Sequence, residues 1–325
     1  MKKYFLIMDI GGTKTTGALF TEDGEPVDDY FHVVKSQTFK GEEAVYQNTK
    51  GVLEHIIEHF AVNREEVLGI GVGSPGPLKA EEGIIVHAPL MGWHDFPIVK
   101  RLREDFGKPV FLENDGNLGA LAEVRCGVAK GLKNILYMTV STGCGGGIIM
   151  DGEIYRGSND AAGEVGHMSI DPNGPECPCG SRGCFELYAS GTAVSRRVRE
   201  DIARGVKNDV LASIDYDPEK VEGRILTEAA ERGDAYALEC YRTEGHYLGV
   251  GISNLLNLLN PQAIVLGGGI TKARKFFEEE MLRVLRERCL APIEEDTIRY
   301  SVMNDRVVLY GAYWMLKQKL EHQRH

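Results

Sequence analysis

Two stretches of this chain repeat one pattern of apolar run, glycine-rich turn and apolar run, and that repetition limits the architecture more than any other feature. In the first, an apolar run from Tyr4 ends at Asp9-Ile10, Gly11-Gly12-Thr13-Lys14 turns the chain, and Gly17-Ala18-Leu19-Phe20 resumes it. In the second, Ile135 to Val140 leads into Ser141-Thr142-Gly143-Cys144-Gly145-Gly146-Gly147, and Ile148-Ile149-Met150 follows. A strand–turn–strand unit used twice predicts an internal duplication, with each copy opening a lobe of its own.

The rest of the chain alternates helical and strand-like patterns. Val45, Val52, Leu53, Ile56, Ile57 and Phe60 recur at helical spacing and predict an amphipathic helix over 42–60. Val67 to Val72 reads as a buried strand leading into the rigid turn Gly73-Ser74-Pro75-Gly76-Pro77, and a hairpin return through Gly83 to His87 follows. Further on come a helix near Ile98 to Phe106, a strand over 108–113 and a helix from about Gly116 to Cys126. Helices are expected over 191–205, 223–232 and 234–259, then a strand over 262–266 and a helix from about Thr271 to Cys289. Asp305 to Lys319 reads as a strand end and a helix that returns to the first lobe. This alternation predicts an α/β fold of two similar lobes with a cleft between them. The expected division is a small lobe at 1–118, rejoined by a helix at about 305–325, and a large lobe at 119–304.

Residues 162–186 form a Gly/Pro-rich loop in which His167, Cys177, Cys179 and Cys184 offer one imidazole and three thiols. Four such ligands suit a closed, tetrahedral, structural Zn²⁺ site with no position left for water. An ion there would make an otherwise irregular loop rigid. It would also fix Glu164 and Glu186, which flank the ligands, as acceptors for the hydroxyls of a polyhydroxy compound.

A formal charge of −11 argues against nucleic-acid binding, which draws on Lys and Arg to displace counterions. Seven cysteines, three of them clustered with a histidine, fit metal ligation in a reducing compartment better than a disulfide framework. The N-terminal apolar run ends at Asp9 without a cleavage pattern, and no stretch is long enough to span a membrane. A soluble, cytoplasmic protein with no membrane partner is expected.

Asp9 to Lys14 has the makings of a phosphate turn. Gly11 and Gly12 let backbone N–H groups approach phosphate oxygens, Thr13 adds a hydroxyl, Lys14 adds a charge, and Asp9 is placed to hold Mg²⁺ through water. Thr142 and Gly143 in the second turn offer the same chemistry from the other copy.

Cys177-Pro178-Cys179-Gly180-Ser181-Arg182-Gly183-Cys184-Phe185-Glu186 resembles the C-x-C-G-x-x-G-C-x-E signature of the ROK family of bacterial sugar kinases and sugar-responsive repressors. Glu164-Val165-Gly166-His167 is similar to its E-x-G-H motif, and Glu113-Asn114-Asp115-Gly116-Asn117 to its E-N-D-x-N. The matching motifs run from near the N-terminus to about residue 271. The resemblance implies the two-lobed actin-like ATPase (ribonuclease H-like) fold with duplicated lobes and a central cleft, closing on sugar to keep water from the γ-phosphate. It implies ATP and Mg²⁺ as reactants, with Gly267-Gly268-Gly269 at the adenosine end. Asp115, at a helix N-terminus that favours the ionised carboxylate, is then the general base. Gly73, Asn114, Glu164, His167 and Glu186 join it around the sugar, His167 using one ring nitrogen for zinc and the other for a hydroxyl.

Phosphorylation of a hexose 6-hydroxyl is the implied activity, with glucose as substrate. The alternatives are an N-acetylglucosamine, N-acetylmannosamine or fructose kinase, and, more remotely, a non-catalytic sugar-sensing regulator, whose relatives carry a helix-turn-helix segment ahead of the kinase-like part. A homodimer or homotetramer is the implied assembly. Two departures stand out. Pro89-Leu90-Met91 replaces the Pro-Asn-Leu of many relatives and puts sugar selectivity in question, and Gly116 replaces a common alanine and is expected to loosen the helix start.

Overall fold

The computed structural model describes residues 2–36, 41–88 and 91–323, so Pro89 and Leu90, the first sequence departure, lie outside the described residues. The chain divides into two compact units. One takes Met1–Tyr137, Gly147–Gly163 and Met303–His325, and the other Met138–Gly146 and Glu164–Val302.

The first unit begins with the hairpin β1 (Tyr4–Ile10) and β2 (Lys14–Thr21), followed by β3 (His32–Lys35) and α1 (Glu42–His59). Then come β4 (Val67–Ser74), β5 (Leu78–Lys79), β6 (Ile84–Ala88), β7 (Trp93–Phe96), α2 (Ile98–Phe106), β8 (Val110–Asn114) and α3 (Asp115–Arg125). The strands β9 (Ile135–Val140) and β10 (Cys144–Met150) form the second hairpin, and β11 (Glu153–Ile154) follows. Beyond them lie α4 (Gly191–Ala203), α5 (Asp209–Ala212), α6 (Gly223–Glu231), α7 (Ala235–Leu259), β12 (Ala263–Gly267), α8 (Arg274–Arg288), β13 (Ile298–Tyr300) and α9 (Val307–His322).

Two five-stranded sheets have the orders β3-β2-β1-β4-β8 and β11-β10-β9-β12-β13. In each, an edge strand is followed by the second and then the first strand of a hairpin, and two later strands complete the sheet. The duplication seen in the sequence is therefore one of topology as well as of turns. Strand β1 runs antiparallel to β2 and parallel to β4, which runs parallel to β8. Register sets Asp9 opposite Gly73, and Gly73 opposite Glu113, so three chemically distinct residues share one row at the carboxyl ends of parallel strands. Ligands bind at such ends in α/β sheets.

Both faces of the first sheet are covered at close range. A Cβ on Gly17 would stand 2.5 Å from Val52 of α1, and one on Gly71 would stand 2.6 Å from the Ala312 carbonyl of α9. Helix α9 also lies beside α3, where a Cβ on Gly311 would approach the Leu118 carbonyl to 2.0 Å. The expected division at residue 118 falls inside α3, and that helix is joined to α9 by this backbone contact, so the first unit continues through residue 137. Other differences are local. From the third glycine the chain makes a 3-10 turn, Gly269–Ala273, and α8 starts only at Arg274. The strand expected at 305 lies instead at Ile298–Tyr300, paired in parallel with β12, and Asn304–Arg306 is a 3-10 turn. Three residues, Ile-Arg-Tyr, are too few to show a period. Among the described residues no helix is long and apolar enough to cross a membrane.

Because the α3–α9 contact is backbone on side-chain-free backbone, Gly311→Ala is expected to cost about 1–3 kcal/mol through overpacking. A lower urea midpoint with an unchanged slope would register it, and an unshifted midpoint would contradict the packing described.

Candidate active site

In the first unit the Gly11–Lys14 turn is tight and braced. Gly11 N–H donates to the Lys14 carbonyl at 2.8 Å, and a Cβ on Gly11 would stand 2.9 Å from that oxygen. From the end of β3, Ser36 donates its N–H to the Thr13 carbonyl at 3.0 Å and its hydroxyl to the Gly11 carbonyl at 2.7 Å. Lys14 Nζ meets Asp305 Oδ2 at 2.8 Å, an exposed ion pair of the kind that a phosphate can displace at little cost. Asp305 carried no chemical signal in the sequence, because it is 291 residues away along the chain.

Asp9 sits half-buried at the end of β1. Burial, then the charge of Asp115, push its carboxyl up from the ordinary value of 3.8 to about 7, with Asp305 adding to the rise and Lys14 opposing it. Three carboxylates coupled through Asp9, with one lysine among them, leave a net negative charge that suits a hard divalent cation.

Asp115 opens α3, with its Oδ1 accepting the Gly116 N–H at 2.8 Å. Asn114 is the cap: its Oδ1 accepts from Gly116 N–H at 2.8 Å and Asn117 N–H at 3.2 Å. The Gly116 N–H at the helix start is thus shared between two side-chain acceptors, and Asn114, its Oδ1 occupied by the cap, offers its amide NH₂ to a ligand. Gly73 is buried, and a Cβ there would meet Val308 at 2.5 Å and Leu118 at 2.9 Å. It admits two helices to the strand end.

In the second unit the ligand atoms of His167, Cys177, Cys179 and Cys184 all lie within 4.8 Å of one another. Cys177 Sγ stands 3.8 Å from His167 Nδ1, and Cys179 Sγ 3.6 Å from Cys184 Sγ. Edges of about that length join thiolate and imidazole ligands of a tetrahedral zinc at ordinary bond distances of about 2.3 and 2.0 Å. The donor chemistry agrees. Burial and the neighbouring Cys177 and Cys179 raise the Cys184 thiol to about 12, so a cation is needed for all three sulfurs to ionise together. Phe185 anchors the loop to α7, since a Cβ on Gly251 would touch its ring at 2.3 Å.

The loop reaches the second glycine-rich turn at two points. Glu186 Oε2 accepts the Cys144 N–H at 3.0 Å, and Gly166 lies so close to the Cys144 carbonyl that a Cβ would stand 2.0 Å from it. His167, Glu164, Glu186, Thr142 and Gly143 are thereby gathered in one region, with Glu164 and His167 exposed. Glu186 is both a candidate ligand group and a brace for the turn.

Beside that turn is a pocket of 710 Å³, lined by Ser141 and Thr142 at one side and by Gly269, Ile270 and Lys272 at another, with Thr227 and Tyr241 among its walls. Its size suits a nucleoside. Of the three glycines only Gly269 lines it. Gly267 ends β12, and Gly268, at φ 82°, packs so close to β9 that a Cβ on it would stand 2.4 Å from the Val140 carbonyl, a position open only to glycine. Gly143 lines a smaller pocket of 240 Å³ with Glu186, Pro178 and Arg196. Arg199, Arg224 and Lys272 supply positive charge to the larger pocket; they come from three separate elements, and nothing in the local sequence marks them.

Residues 5–319 match the ROK family. The chain belongs to this family. A glucokinase of Halalkalibacterium halodurans is 33% identical over 98% of this chain and 96% of its own length. A ROK family glucokinase of Streptomyces griseus, solved with glucose and AMPPNP, superposes with a TM-score of 0.82 at 27% identity, covering 97% of this chain and 99% of the other. The xylose repressor of Bacillus spizizenii is 35% identical over 83% of this chain and 65% of its own length. The fold is accordingly the actin-like ATPase fold of the ROK sugar kinases.

Two predictions follow from this geometry. Purified protein should carry about one zinc ion per chain, and stripping it or introducing Cys184→Ala should lower the melting temperature. Metal analysis finding none, with melting indifferent to chelators, would reject the ligand set. The second concerns Asp9. Its proton is held in the folded state up to about pH 7 but leaves the unfolded chain near 3.8, so without a divalent cation its contribution to stability declines as pH rises between those values. Asp9→Asn should therefore match wild type near pH 4 and exceed it at pH 8, as judged by urea midpoints.

Proposed function

We propose that this ROK protein is an ATP- and Mg²⁺-dependent hexose kinase that phosphorylates the 6-hydroxyl of glucose, with Asp115 as general base. The observation that carries the reading is the pairing of Asp9, near the end of β1, with Asp115, which opens α3 directly after β8, near enough for the charge of one to raise the pKa of the other. One carboxylate suits a hydrated cation and the other a substrate hydroxyl. Similarity to a glucokinase over nearly the full length supports the choice of sugar.

In this reading Asp115 accepts the hydroxyl proton as the sugar oxygen bonds to the γ-phosphorus, and the bond to the β,γ-bridging oxygen breaks to release ADP. The transition state is loose, so orientation and charge neutralisation outweigh the base, which contributes about 10²–10⁴-fold. Gly11, Gly12, Thr13 and Lys14 are the phosphate-binding groups of the first unit, and Thr142 and Gly143 those of the second. The 710 Å³ pocket takes the adenosine end, with Gly269 against it. Asn114, through its amide, is the sugar-hydroxyl partner offered by the first unit, and Glu164, His167 and Glu186 are those offered by the second. Bound Mg²⁺ supplies charge neutralisation on the phosphates, and zinc stiffens the loop that carries His167 and Glu186.

The similarity to a xylose repressor favours a second reading, a sugar-responsive regulator without turnover. Both readings meet one experiment: release of ADP and sugar phosphate with glucose, N-acetylglucosamine, N-acetylmannosamine, fructose and xylose in parallel. Asp115→Asn should lower kcat for glucose by about 10²–10⁴-fold while leaving the melting temperature in place. Near-normal turnover by that variant would remove Asp115 as base. Binding of sugar with no turnover by wild type would establish the regulator.

A further inference from the structure

Glu113 is the last residue but one of β8, and its carboxylate is almost wholly buried. A charge in that position needs a full set of partners, and it has them. Oε1 accepts the Asn114 N–H at 2.9 Å and the Asn117 side-chain NH₂ at 3.0 Å. Oε2 accepts Nε and Nη2 of Arg156 at 2.7 and 2.5 Å. Among the described residues the donors to Oε1 are Asn114, the cap of α3, and Asn117 of its first turn, and the donor to Oε2 is Arg156.

Arg156 is itself held by the short segment after β11. Its carbonyl accepts the Ala162 N–H at 3.1 Å, and Asp160 Oδ2 accepts the Ala80 N–H at 3.2 Å. A guanidinium places its N–H groups in a fixed plane, so docking two of them on one oxygen limits how the carboxylate can turn. The other oxygen then sets where Asn114 and Asn117 stand, and Asn114 in turn caps the turn that begins with Asp115.

We propose that Arg156 is the positioning residue for Asn114 and Asp115, acting through Glu113 and touching neither substrate. The proposal rests on the kinase reading for its catalytic consequence and on the hydrogen-bond network alone for its structural one. A lysine at 156 would keep the charge and lose the fork. A purely structural ion pair would tolerate that change or weaken the protein as a whole, whereas a positioning role predicts a local effect.

The test takes Arg156→Lys, and in parallel Glu113→Gln/Arg156→Met, which removes both charges and so leaves no unpaired ion to block folding. Amide hydrogen exchange at Gly116 and Asn117 should quicken by about tenfold with other helices unchanged. With hexose, kcat should fall by about 10–100-fold while the KM for ATP stays within about twofold, the pattern of a misplaced reacting group. Added to Asp115→Asn, Arg156→Lys should slow the reaction no further. Unchanged exchange at the two amides overturns the proposal. So does faster exchange with unchanged kcat, or a kcat loss that tracks exchange throughout the protein. If wild type phosphorylates no hexose, the kinase reading fails by itself, and the amide exchange still decides whether Arg156 governs the start of α3.

Discussion

Backbone lying directly on backbone sets the geometry of the first unit. Gly71 lets α9 settle onto β4, and Gly311 lets α9 settle onto α3, at distances where even a methyl group would collide with a carbonyl. Interiors are close-packed and do not yield gradually. With α3 and α9 pressed together, and α9 pressed on the sheet, the N-terminus of α3 is held at the end of β8, and Asp115 comes to share a strand-end neighbourhood with Asp9.

Charge is then arranged around that neighbourhood in two ways. Glu113 is buried but fully paired, so its negative charge serves to direct hydrogen bonds and does not add to the open site. Asp9 is held away from water beside Asp115 and Asp305 with Lys14 in opposition, and its pKa is raised first by burial and then by the neighbouring carboxylate charge. The second unit solves a similar problem with sulfur: three thiols and an imidazole are crowded into one loop, an arrangement that favours a bound cation.

Much of the site was legible in the sequence because glycine-rich turns and Cys-x-Cys loops are local. Asp9 to Lys14, Ser141 to Gly147, Glu113 to Asn117 and His167 to Glu186 each announce their chemistry within a few residues. Their finer roles were less legible. Gly73 is also a packing contact for two helices, the Gly116 N–H is doubly held, and of its triplet Gly269 lines the pocket. Such distinctions depend on what lies across the sheet, which no local pattern encodes.

The sequence by itself determined the alternation of strands and helices, the duplicated hairpins, the family and the inventory of reactive groups, because periodicity, turn chemistry and ligand spacing are properties of short segments. The tertiary structure alone decided that Arg156 meets Glu113, that Asp305 meets Lys14 and that Glu186 braces the Cys144 turn. These pairs are separated by 43, 291 and 42 residues. Contacts across such distances exist only after the chain has folded, when burial makes an unpaired charge or N–H costly and so selects the partner within reach.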